Sequence, residues 1–122
     1  LESVAYQTND LFTAIAGDGI DVTIVRVDGG MTANNWLMQF LSDILDVTVE
    51  RPVVRETTAL GAAMLAHLAG ENADSNSPDM SLDDIAAMWQ SDQRFEPAMD
   101  AASRDDLIAG WQTAITRTLT GL

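Results

Sequence analysis

The stretch Val22-Thr23-Ile24-Val25-Arg26-Val27 is a β-branched run of strand length, and Asp28-Gly29-Gly30 breaks it at once. From Asn34 to Leu45 the apolar residues Leu37, Phe40, Leu41, Ile44 and Leu45 recur at helical spacing. Val47-Thr48-Val49 then reads as a second short strand that Pro52 ends. Strand, glycine turn, helix, strand is a βαβ unit, so both strands should be parallel with a right-handed crossover. That unit places the chain in the α/β class, with short parallel strands flanked by helices.

The flanks agree with this. Val4, Ala5, Leu11, Phe12 and Ile15 fall at helical spacing between Leu1 and Ala16, with Gly17 as the stop and Asp18-Gly19 as the turn into the strand. Thr57 or Thr58 can cap a third helix that runs through Leu68 and closes at Gly70. Its run Ala59-Leu60-Gly61-Ala62-Ala63 has small side chains, and Gly61 implies close helix–sheet contact to offset a cost of about 1 kcal/mol relative to Ala. Residues 71–80 are polar and turn-rich and read as a surface loop. Residues 81–122 read as terminal helices, because Ser81-Leu82-Asp83-Asp84 and Ser103-Arg104-Asp105-Asp106 both resemble capping boxes. The last helix carries Ile108, Trp111, Ile115 and Leu119 as a stripe that must dock.

Composition removes much chemistry. The 122 residues hold 6 Arg, no Lys and 19 Asp plus Glu, a formal charge of -13. This is opposite to the basic footprint that phosphate backbones or anionic lipids need, so neither nucleic acid nor a membrane surface is an expected partner. It also exceeds the roughly 2 to 8 charges that keep a small domain soluble, and with every cation an Arg it points to adaptation to high salt. Without Cys, and with the single His67, thiolate chemistry and two-His metal motifs are excluded. No apolar run reaches the roughly 18 residues of a membrane span, and Leu1 is not an initiator, so a fragment of a soluble, cytoplasmic protein is expected.

The candidate site is Asp28-Gly29-Gly30, at the carboxyl end of a strand and feeding a helix. Open α/β sheets bind ligands there, and helix N-terminal amides attract phosphate. Glycines let the backbone approach a nucleotide with no Cβ in the way, although Asp-Gly is also an ordinary turn. The pattern is neither a P-loop nor a dinucleotide fingerprint, so any phosphate contact would come from backbone. Asn34 and Asn35 open the following helix, where an amide can meet a base or ribose or can cap the helix. The pairs Asp83-Asp84 and Asp105-Asp106 suit capping and solvation, and His67 receives no function. No residue is assigned as catalytic or as a metal ligand.

Taken together, Leu1 to Thr8, Arg26 to Phe40, Glu50-Arg51-Pro52 and Thr58 to Ala63 resemble the C-terminal part of the glycerol kinases, a branch of the FGGY carbohydrate kinases. In the tail, Phe95-Glu96-Pro97, Met99, Arg104 and Gly110-Trp111 are more similar to that branch than to the pentulose and gluconate kinases. Met31 stands where the family usually has a small residue, and Asp46 where glycine is frequent.

The resemblance implies a partial actin-like (ribonuclease-H-like) ATPase domain, with residues 1–122 as the C-terminal part of the nucleotide-binding domain. It implies a kinase that moves the γ-phosphoryl of ATP to glycerol, with Gly29 and Gly30 against the phosphates and ribose and Asn34 facing the adenosine. Mg²⁺, the glycerol site and the aspartate base would belong mainly to sequence preceding this segment, leaving the segment alone inactive. Homo-oligomers are implied as well. The alternatives are another carbohydrate kinase acting on xylulose or gluconate, and a non-catalytic interaction module built on the actin-like half.

Overall fold

In the computed structural model, which describes residues 1–54, 57–71, 83 and 90–120, two adjacent parallel strands are connected through a helix. The elements run α1 (Glu2–Gly17), β1 (Ile24–Arg26), a short 3-10 helix (Gly30–Ala33), α2 (Asn35–Leu45), β2 (Thr48–Pro52), α3 (Thr57–Glu71), β3 (Ser91–Phe95) and α4 (Ala101–Leu119). Ile24, Val25 and Arg26 lie beside Thr48, Val49 and Glu50 in parallel register, as a βαβ unit requires.

Strand β3 corrects the all-helical expectation for residues 81–122. It pairs antiparallel with β2, so the sheet is mixed, in the order β1-β2-β3. Ser91-Asp92-Gln93-Arg94-Phe95 holds one apolar residue and no alternation to mark it. Its strand form comes from its partner: Phe95 lies beside Val49 in the core, and Arg94 lies beside Glu50. Arg26 and Arg94 both reach the buried Glu50, each at 3.4 Å, so one carboxylate ties three strands.

Helix α2 is the centre of the core. Leu37, Met38, Phe40, Leu41, Ile44 and Leu45 are buried with Ala5 and Tyr6 of α1, Val49 of β2 and Phe95 of β3. Two polar side chains on α2 are buried with a purpose. Ser42 Oγ lies 2.7 Å from the carbonyl of Val47, just before β2, and 2.9 Å from that of Phe95, at the end of β3, tying both to the helix. Asp43 accepts from the backbone N–H groups of Ala98 at 2.7 Å and Met99 at 3.2 Å, which pins the segment after β3. Asp46 ends α2 with φ 55°, a left-handed conformation that explains why glycine suits this position.

Helix α4 begins earlier than its capping-box pattern suggests. Its cap is Asp100, whose carboxylate accepts from the Ser103 N–H at 2.9 Å and the Ser103 Oγ–H at 2.7 Å. Of its stripe, Ile108 and Trp111 dock on the core together with the neighbouring Leu107, whereas Leu119 is exposed. Trp111 stacks on Tyr6 at 5.4 Å and donates from Nε1 to Asp10 at 2.9 Å. Arg104 reaches Asp46 at 2.8 Å.

The two Ser103 bonds hold the Asp100 carboxyl below its ordinary value of 3.8. A depressed folded-state pKa means that the cap's contribution is whole above the ordinary carboxylate range and is lost as pH falls through the lowered value. Asp100→Asn keeps an acceptor for Ser103 but cannot titrate. Melting temperatures recorded from neutral pH into this acid window should fall more steeply for the native chain than for the variant. Parallel curves would show that the cap carries no linkage.

Helix α3 stands apart from the expected close contact. A Cβ at Gly61 meets nothing within 4 Å, and Ala59, Ala62 and Ala63 are exposed. Among the described residues α2, not α3, fills the covered face of β2 and β3. The loop expected at 71–80, apart from Glu71 at the end of α3, and most of the helix expected from Ser81 lie outside the described residues, as does the His67 side chain. No helix among the described residues is long and apolar enough to cross a membrane.

Candidate nucleotide-binding site

The site is built where β1 stops. Val27 adds one more ladder bond, its N–H donating to the Glu50 carbonyl at 3.0 Å, and the chain then turns away at Asp28. Gly29 adopts φ 88° and ψ 172°, a conformation essentially closed to residues with a Cβ. Thr32 closes the turn twice over, with its N–H at 3.1 Å and its Oγ1–H at 2.7 Å from the Gly29 carbonyl. Thr32 is buried at 2% exposure, whereas Gly30, Met31 and Ala33 beside it are exposed.

The two asparagines divide the roles left open by the sequence. Asn34 is the cap of α2, its Oδ1 accepting from the Leu37 N–H at 3.1 Å. Asn35 instead accepts at Oδ1 from Arg51 Nη1 at 2.7 Å. Gly30 has no positive φ, so the strained position of the turn is Gly29. A Cβ at either glycine meets nothing within 4 Å, so the turn faces open space. Met31 is 53% exposed, so its bulk is not spent against the turn.

The residue that sequence reasoning missed is Arg51. It appeared only inside Glu50-Arg51-Pro52, yet it is buried at 6% exposure on the central strand and touches the turn, α2 and β3. The available signal was a cation on a strand that must be covered on both edges.

Chemically, the arrangement offers backbone N–H groups at the mouth of a glycine turn and the positive end of an eleven-residue helix. Among the described residues no group of three or more His, Cys, Asp or Glu side chains could hold a metal ion.

The model of the FGGY carbohydrate kinases' C-terminal domain matches residues 1–70, from α1 through nearly all of α3. The chain belongs to the FGGY family of carbohydrate kinases. Glycerol kinase from Coxiella burnetii is 50% identical over 120 residues, which is 98% of this chain and 23% of that protein. A crystal structure of Plasmodium falciparum glycerol kinase with ADP superposes with a TM-score of 0.75 at 37% identity, covering 97% of this chain and 23% of that one. Xylulose kinase from Rhodospirillum rubrum has a TM-score of 0.69 at 23% identity over 98% of this chain and 23% of its own, a likeness of fold. This FGGY chain therefore spans less than a quarter of the length of these relatives. Its α/β architecture is part of the actin-like ATPase fold of the FGGY kinases.

Proposed function

We propose that this chain is the C-terminal, ATP-holding portion of a glycerol kinase, an enzyme that transfers the γ-phosphoryl group of ATP to glycerol to give glycerol 3-phosphate. The observation that carries this is likeness to glycerol kinases along nearly the whole chain, past residue 70 where the family match ends. The Plasmodium falciparum enzyme seen with ADP shares 37% identity, against 23% for a xylulose kinase at similar coverage.

In this reading the backbone of Gly29 and Gly30 lies against the phosphates and ribose, where no Cβ blocks approach. Asn34 gives its Oδ1 to the helix cap, so its Nδ2 donor is the part that faces the adenosine. Bound Mg²⁺ supplies charge neutralisation on the phosphates. Among the described residues no cluster of three or more carboxylate or imidazole side chains fits a site for it. The acceptor site and the base that deprotonates the glycerol hydroxyl belong to the rest of the protein. Half of a nucleotide site positions no acceptor, so the 122-residue chain alone is inert. The setting is the cytoplasm, and the family reading carries assembly into homo-oligomers.

ADP release by the full-length protein, measured with glycerol, xylulose and gluconate, tests this. Glycerol should be preferred, and residues 1–122 alone should show no glycerol-dependent turnover. Preference for xylulose or gluconate would move the protein to another branch of the family. Turnover by the isolated chain would overturn the division of labour.

A further inference from the structure

We propose that Arg51 is a positioning residue for the glycine turn: its guanidinium holds Thr32 and Asn35, and through Thr32 the strained Gly29, against the sheet. This rests on the reading of that turn as the nucleotide site. All five guanidinium N–H groups are used. Nη1 donates to the Thr32 carbonyl at 2.9 Å and to Asn35 Oδ1 at 2.7 Å, both in the segment that follows Gly29. Nε and Nη2 donate to Asp92 at 3.0 and 2.8 Å, and Nη2 also donates to Gln93 Oε1 at 2.9 Å, both on β3. The guanidinium carbon lies 5.7 Å from the Phe95 ring centroid.

Stability alone does not account for this cation. Burying a charge is costly, and a buried pair replaced by well-packed apolar residues is often no less stable. What an apolar side chain cannot do is fix acceptors of the turn at set distances. Thr32 is the buried residue of this segment, while Gly30, Met31, Ala33, Asn34 and Asn35 are exposed. Thr32 in turn holds the Gly29 carbonyl through two bonds. A continuous path therefore runs from Asp92 and Gln93 on β3, through Arg51 on β2, to Gly29. Lysine, a point charge with three donors and no planar fork, cannot span both ends of it.

The test uses the full-length protein with Arg51→Lys, Asn35→Ala and, alongside, Gly29→Val. Arg51→Lys should raise KM for ATP about tenfold, the loss of one charge-assisted hydrogen bond, with KM for glycerol unchanged. Asn35→Ala removes one turn bond at an exposed position and should raise KM for ATP about threefold. It decides the matter if the buried substitution does not fold. Without nucleotide, amide hydrogen exchange over residues 28–36 should be faster in both variants than in the native protein. A merely structural arginine would lower the melting temperature and the active fraction and leave KM for ATP and local exchange unmoved, which overturns the proposal. If Gly29→Val raises KM for ATP while Arg51→Lys and Asn35→Ala do not, the nucleotide reading stands and the positioning role falls. If none of the three moves KM for ATP, both fall.

Discussion

Full-length protein carrying Gly29→Val is expected to bind ATP about 5- to 150-fold more weakly than the native enzyme, which corresponds to the ~1–3 kcal/mol cost of forcing such a backbone conformation. The native φ of 88° with ψ 172° is open to glycine and closed in practice to a β-branched residue. The turn is short and mostly exposed, so it relaxes before the core does. Relaxation would re-aim the backbone N–H groups proposed to meet the phosphates, and KM for glycerol should stay unchanged. Gly30→Ala separates strain from blockage, because that position has no positive φ and no neighbour within 4 Å of a Cβ. Any loss of ATP affinity in Gly30→Ala comes from a methyl group in the nucleotide's path. Native KM for ATP and turnover in a folded Gly29→Val protein would make the turn a structural connection only.

The second large effect is on folding. With a formal charge of -13 and no Lys, the folded chain gathers carboxylates that the unfolded chain can spread apart. Raising salt from 0.1 M to 1 M shortens the Debye length from about 10 to about 3 Å and screens that repulsion. It also screens attraction, and Arg26, Arg51, Arg94 and Arg104 all form ion pairs. Exposed pairs contribute only about 0–1 kcal/mol each, and in the Arg51–Asp92 pair the arginine is buried while the aspartate is 42% exposed, so repulsion is the greater loss and screening favours the fold. The melting temperature of the 122-residue chain in KCl should rise by about 5 °C or more over that range, equivalent to about 1 kcal/mol in a domain of this size. Light scattering at each salt concentration separates stability from association through exposed apolar residues such as Leu60 and Leu65. A flat or falling melting temperature would remove salt adaptation and leave an ordinary acidic surface.

What could be read from the residues was what local physics encodes. The β-branched run before Asp28, the 3.6-residue stripe from Leu37 to Leu45 and the short β-branched segment after it each carry their own periodicity. Those periods were enough for a parallel βαβ unit, now seen in the Ile24–Thr48 to Arg26–Glu50 register. Glycines between a strand and a helix likewise mark a backbone that must bend and come close to something, and Gly29 does bend where the pattern placed it.

Tertiary structure decided the rest, because the missed features have no local period. Strand β3 exists through its pairing with β2, since its own residues are mostly polar. The choice between Asn34 and Asn35 as helix cap turned on Arg51, sixteen residues further along the chain, which takes the Asn35 oxygen. Asp100 took the cap from Ser103, though both are capping residue types, because the chain leaves the Asp43-held segment at 98–99 just before it. Arg51 carries no local mark of its burial in the sequence. Only the packing of β3 and the glycine turn against β2 brought their acceptors to it, since long-range hydrogen bonds are set by which surfaces pack together and leave no trace in neighbouring residues.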